Sequence, residues 1–153
     1  MTEQLSPLAL QALAIVEESG AIISANHAHP HTIRHKGRID LVTETDIAVE
    51  AFLKERLATL TPEAGFLAEE SAEALSLPDT CWIIDPVDGT TNFAHGLPLT
   101  VTSVAYRLNG EIVLGIVNAP LLRECFIAEK GKGAWRNGER IGVSSVAACE
   151  NAL

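Results

Sequence analysis

Leu8, Ala12, Leu13, Val16 and Ile23 return at helical spacing through SPLALQALAIVEESGAIISA, which predicts a helix over residues 6–25. Ser6 suits its N-cap and Pro7 its first helical position, since proline lacks only an N–H that the first turn leaves unpaired. A second periodic stretch, DIAVEAFLKERLATL, gathers Val49, Phe52, Leu53, Leu57 and Leu60 on one side of a helix. Thr43 followed by Asp46 resembles a capping box ahead of it. Between the helices, NHAHPHTIRHKG reads as a loop and RIDLVT as a short strand.

Beyond the second helix the period changes. GFLAEE and CWIID are short apolar runs that end in acids. VTSVAYRL and EIVLGIVNAP read as strands joined at Asn109-Gly110, and ECFIAEK as another strand. Asn137-Gly138, inside AWRNGERIGVS, marks a second hairpin, because Asn-Gly supplies the positive φ angles of a two-residue turn. Helices come first and antiparallel strands later, so the fold class is α+β. With no internal repeat, low-complexity tract or linker, residues 1–153 read as a single domain or part of one.

Composition narrows the function classes. The 153 residues are 47% hydrophobic and 20% charged, enough for a globular core. No stretch approaches the roughly 20 apolar residues of a membrane span, and MTEQLSPLAL lacks the basic flank of a signal peptide. Cys81, Cys125 and Cys149 are odd in number and widely spaced. They match neither a disulfide framework nor a Cys-x-x-Cys metal site, and a cytoplasmic chain follows. A net charge of −9 argues against nucleic acid as partner. An anionic substrate would then need cations to bring it in.

Three segments, DLVTETD, FLAEES and WIIDPVDGT, place acids at the ends of apolar runs. If those ends share one edge of a sheet, Asp46, Glu69, Glu70, Asp85 and Asp88 meet. So many like charges need cations, and oxygen ligands without His or Cys favour magnesium or manganese. Pro86 would force a turn that aims Asp85 and Asp88 at one place and frees the Val87 carbonyl. Gly89 would let a phosphate approach backbone N–H groups where a short helix starts at Thr90. DPVDG alone is equally a turn sequence; the two other acid-ended segments favour a site. The Asp-x-Asp-Gly-Thr pattern of haloacid-dehalogenase-type phosphatases fails, because Pro86 stands where their nucleophile would be.

WIIDPVDGTTNF resembles the signature of the inositol monophosphatase family. KGRIDLVTETD resembles the family's lysine-then-DLVT-x-x-D segment, and FLAEES its G-E-E-S segment, with Ala68 where many members carry glycine. GKGAWRNGERIGVS resembles the strand and hairpin that follow, so the likeness covers nearly all of the chain. It implies the N-terminal domain of an inositol monophosphatase/fructose bisphosphatase-like fold, a helix pair packed on an antiparallel-rich sheet. It implies Mg2+ as cofactor and a small phosphorylated substrate, hydrolysed by in-line attack of a metal-activated water. By the resemblance, Glu69, Asp85, the Val87 carbonyl and Asp88 ligate metal, Asp85 bridging two ions. Thr90 and Asp46, with Glu69, are the catalytic set, the first two positioning and activating the water. The N–H groups of Gly89 and Thr90 hold the phosphate, and Glu69, Val87 and Asp88 complete the substrate contacts. Lys36 matches a family lysine near the site. Family members are commonly homodimers.

GTTNFAHGLP looks most like the inositol phosphate branch; the other family substrates are histidinol phosphate, fructose bisphosphate and a nucleotide bisphosphate. The family's second α/β half, with its W-D-x-x-A-G segment, has no counterpart here. The expectation is therefore a first half, as a truncated gene product, an excised domain or an incomplete sequence, carrying the first metal site but not a complete substrate pocket. The competing reading is a non-catalytic module that binds metal or a partner. His27, His29 and His31 alternate in HAHPH and read as solvated loop histidines rather than a metal site. Cys81 and Trp135 read as packing residues, and His95 as either a surface residue or one near the substrate.

Overall fold

The computed structural model describes residues 5–27, 33–35, 41–69, 77–148 and 150. Lys36, Glu70, His29, His31 and Cys149, singled out above, lie outside them. Helix α1 spans Pro7–Asn26, and the Ser6 hydroxyl accepts from the Ala9 N–H at 3.2 Å, as its N-cap role requires. Strands β1 (Ile33–His35) and β2 (Leu41–Thr43) form an antiparallel pair. The loop expected over NHAHPHTIRHKG thus contains a strand; a three-residue strand is too short to show a sequence period, and only its partner reveals it. Helix α2 spans Glu44–Leu60.

The remaining strands are β3 (Gly65–Ala68), β4 (Cys81–Asp88), β5 (Val101–Leu108), β6 (Glu111–Ala119), β7 (Glu124–Glu129), β8 (Gly133–Arg136) and β9 (Glu139–Ile141). They form one sheet in chain order from β3 to β9. Among the described residues only the β3–β4 pair is parallel. A five-residue helix α3, Thr90–Ala94, joins β4 to β5. Both Asn-Gly steps turn hairpins with positive φ at each residue, 51° and 83° at Asn109 and Gly110, 48° and 80° at Asn137 and Gly138, the geometry that matches strand twist.

Alternation sorts the sheet into two faces. Trp82, Ile84, Val104, Tyr106, Leu114, Ile116, Ile127 and Trp135 are buried with Val16, Ile23, Val49, Leu53 and Leu57 of the helices. Cys81 and Trp135 are core residues, 0% and 2% exposed, as expected. Trp82 donates its indole N–H to Thr61 Oγ1 at 2.8 Å, so its one polar atom is satisfied inside the core. Gly20 lets α1 close on the sheet: a Cβ there would lie 2.7 Å from Asn118 Nδ2 and 2.9 Å from Pro120 Cβ. The Ser6 N–H donates to Glu129 Oε2 at 2.8 Å, which pins the start of α1 to the end of β7.

One expectation needs revision. α1 is 20 residues long with a mean hydropathy of 1.4 across its central window, apolar and long enough to cross a membrane. Its apolarity has another cause: Ala9, Ala12, Ile15, Val16, Ser19, Gly20 and Ile23 are buried against the rest of the domain.

The opposite face carries a single row through all seven strands. Leu67, Ile83, Ala105, Gly115, Ala128, Ala134 and Ile141 are successive register partners. Every member is apolar, and small residues occupy the third to sixth positions. Val117 and Phe126, paired on β6 and β7, stand in the next row of the same face.

Candidate active site

The site forms where β4 leaves its ladder. Parallel pairing sets Ala68 beside Ile84, so Glu69 emerges next to Asp85. β4 pairs with β5 at Asp85↔Ser103 and resumes at Asp88↔Val101, with two residues, Pro86 and Val87, opposite the single Thr102. Pro86 has no N–H to offer the ladder, so the strand bulges there. The expected turn is therefore a β-bulge inside a continuing strand. Its buried backbone is tied down from β5: the Thr102 hydroxyl donates to the Pro86 carbonyl at 2.9 Å.

The bulge buries Val87, leaves Asp88 exposed and delivers the chain to Gly89. Gly89 has φ 90° and caps α3. An L-residue would be strained there, and its Cβ would meet the Leu99 carbonyl at 2.8 Å. Thr90 follows as the first residue of α3. Its Oγ1 lies 2.9 Å from the Val87 carbonyl and 3.2 Å from Asp46 Oδ1. One hydroxyl proton serves one acceptor at a time, so Thr90 can switch between them. Asp46 sits in the first turn of α2, 1% exposed, where the positive end of the helix dipole favours an anion.

Burial holds Asp85 up, to a pKa of about 7, and the charges of Glu69, Asp88 and Asp46 push the same way. Glu69 also hydrogen-bonds the Asp85 side chain, which a shared proton between two carboxyl groups permits. Asp85 Oδ1 is buried with no partner. An orphaned acid oxygen in a group of acids is what a hard cation satisfies. The donors present, three carboxylates and the Val87 carbonyl, fit Mg2+. Among the described residues no three acid, His or Cys side chains close on one point.

A cavity of about 260 Å³ is lined by Glu69, Asp85, Val87, Asp88, Gly89, Thr90, Thr91 and Asn92. Of the residues expected from the sequence, Glu69, Asp85, Val87, Asp88, Gly89 and Thr90 are in that wall, while Lys36 and Glu70 lie outside the described residues. Asp46 is behind it, reached through Thr90. Thr91, Asn92 and the buried tether Thr102 were not anticipated. The Asn92 side chain donates to the Leu99 carbonyl at 2.9 Å, and its position three residues after a positive-φ glycine was the available signal. His95 turns its Nδ1 onto the Thr91 carbonyl at 2.8 Å and stays outside the cavity wall. The His27 ring stacks at 41° on Phe93, centroids 5.7 Å apart, a packing role beneath α3 rather than a solvated one.

The sequence model of the inositol monophosphatase family matches residues 4–153. The inositol monophosphatase of Dictyostelium discoideum is 45% identical over 139 residues, 88% of this chain and 51% of that protein. A Thermotoga maritima protein described as fructose-1,6-bisphosphatase/inositol-1-monophosphatase is 45% identical over 114 residues, 74% of this chain and 44% of its own length. The chain spans about half the length of the curated relatives it matches. Among solved structures, a T. maritima IMPase superposes with a TM-score of 0.80 at 38% identity, covering 87% of this chain and 52% of that one. An IMPase/NADP phosphatase complexed with Mg2+ and phosphate has a TM-score of 0.74 at 29% identity, covering 83% and 49%.

Proposed function

The chain belongs to the inositol monophosphatase family, and from that membership we propose that it carries the metal and phosphate half of a Mg2+-dependent phosphate monoesterase, acting on inositol monophosphate. One observation carries the reading: Glu69, Asp85, Val87, Asp88, Gly89 and Thr90 share one cavity wall. Glu69, Asp85 and Asp88, with the Val87 carbonyl, would hold the ion. Bound there, Mg2+ supplies a Lewis acid that polarises phosphoryl oxygens and eases deprotonation of water.

The chain's own groups do the rest. The Gly89 and Thr90 N–H groups would hold the phosphate, with no side chain in the way at residue 89. Asp46 accepts from the Thr90 hydroxyl, which leaves the Thr90 lone pairs able to orient a water. Buried and held at a helix start, Asp46 is placed to take a proton relayed through Thr90. The wall is acidic, so the cation must also offset the repulsion between these carboxylates and an anionic substrate.

A homodimer is part of the same proposal. The open sheet face supports it, because Val117 and Phe126 form a ridge beside the Gly115–Ala128 trough. A two-fold axis between those rows would seat each copy's ridge in the other's trough. Six strand spacings of about 4.8 Å make the apolar row roughly 29 Å long. The free, buried thiols of Cys81 and Cys125 support a reducing, cytoplasmic setting.

The test is phosphate release by the 153-residue chain from inositol 1-phosphate, with and without Mg2+, alongside fructose bisphosphate, histidinol phosphate and a nucleotide bisphosphate. Mg2+-dependent release supports the reading and ranks the substrates. Mg2+ binding without release from any of them favours the non-catalytic module instead.

A further inference from the structure

Asn92 holds both ends of the segment that runs from α3 to β5. Its Nδ2 donates to the Leu99 carbonyl at 2.9 Å. Its own carbonyl accepts from Leu97 N at 2.9 Å and from His95 N at 3.1 Å. The Leu99 carbonyl in turn lies across Gly89: a Cβ at residue 89 would meet that oxygen at 2.8 Å and Asn92 Nδ2 at 3.4 Å. Gly89 backbone, Leu99 carbonyl and Asn92 amide therefore occupy one corner. On the far side of the same turn, the Thr90 hydroxyl reaches Val87 and Asp46.

We propose that Asn92 is a positioning residue: its amide clamps the Leu99 carbonyl over Gly89 and so fixes the turn that presents the Thr90 hydroxyl to Asp46. Glycine adopts φ of either sign at little cost, so Gly89 cannot hold 90° by itself. Something outside the residue must confine it. The Leu99 carbonyl does so from one side, and Asn92 is what holds that carbonyl in place. A hydroxyl rotates freely, so the direction of Thr90 Oγ1 is only as definite as the backbone beneath it. The functional part of this inference rests on the phosphatase reading; the structural part does not.

The experiment uses the 15N-labelled 153-residue chain and its Asn92→Asp and Asn92→Gln variants. Asn92→Asp keeps the shape, removes the donor and adds a charge to the cavity wall; Asn92→Gln keeps the donor, without a charge, on a longer stem. Amide relaxation is measured at Gly89 and Thr90, with Trp82 and Val104 as core references, beside Mg2+-dependent phosphate release. The expected result is increased amide mobility at Gly89 and Thr90 in Asn92→Asp, with the core references unchanged. kcat should fall about tenfold or more, the scale of a small misplacement in a site. Asn92→Gln should recover part of both. Unchanged mobility at Gly89 and Thr90 overturns the proposal whatever the activity does. Increased mobility with kcat retained overturns its functional part. Increased mobility in a chain whose parent shows no turnover supports the positioning role and counts against the phosphatase reading alone.

Discussion

The Thr90 hydroxyl stands 3.2 Å from the buried carboxylate of Asp46, joining residues 44 positions apart on α3 and α2. The contact forms just beyond the bulge at Pro86, where β4 gives way to α3. Thr90→Ala and Asp46→Asn are each expected to cut Mg2+-dependent phosphate release by about a hundredfold or more, in the range of a lost general-base relay. Thr90→Ser, which keeps the hydroxyl, should stay within about tenfold of the parent. Steady-state kinetics at saturating Mg2+ decide it, and a fully active Asp46→Asn would remove Asp46 from the mechanism.

Asp85 is raised by burial and by neighbouring acids, so without a cation its ionised form opposes folding. A raised carboxyl costs stability above its unfolded pKa, and the cost grows until pH passes the folded value near 7. Asp85→Asn should therefore raise the melting temperature of the metal-free chain at pH 8, by about 2–4 °C for each kcal/mol recovered. Mg2+ should stabilise the parent and leave Asp85→Asn where it was. Calorimetry in chelator and in excess Mg2+ tests both; a lower melting temperature for metal-free Asp85→Asn would contradict the electrostatic account.

Glu129 behaves in the opposite sense. Burial alone would raise its pKa, but bonds from the Ser6 N–H and hydroxyl and the nearby Lys132 ammonium outweigh that and hold it below the usual carboxylate range. Its stabilisation is therefore complete above the unfolded carboxylate pKa and disappears as pH falls through the lower folded value. Glu129→Gln should be less stable than the parent at pH 7, by roughly 1 kcal/mol once a hydrogen bond to a charged group is discounted for solvent screening. The gap should close as the solution is acidified, which urea unfolding at several pH values will show.

Val117 is 36% exposed on the open face of the sheet. Val117→Asp places a charge on the proposed ridge without entering the core. Sedimentation of the 153-residue chain should show a dimer that Val117→Asp converts to monomer with its melting temperature largely kept. A parent chain that sediments as a monomer at high concentration would sink the two-fold pairing.

Much of the site was legible before any coordinate. Asp85, Asp88, Gly89 and Thr90 are neighbours in the chain, so local chemistry reports them: an apolar run ending in acids, a proline, a glycine, then a helix start. The Asn-Gly hairpins were legible for the same reason, because a two-residue turn depends on those two residues alone. What the chain does not print locally is how its pieces meet. Ile33–His35 became a strand through a partner six or more residues on, and Asn92 acquired its role only when Leu99 came within 2.9 Å.

The alternation of apolar residues, the caps and the turns by themselves determined two helices followed by a strand meander, with acids at the strand ends. Each of those signals arises from contacts within a few residues. Only the tertiary structure decided that Pro86 bulges rather than turns, that Asp46 lies behind Thr90, and that one face of the sheet carries an apolar row from Leu67 to Ile141. Those outcomes depend on register and on packing between distant segments. A one-residue shift in register would move every side chain to the other face.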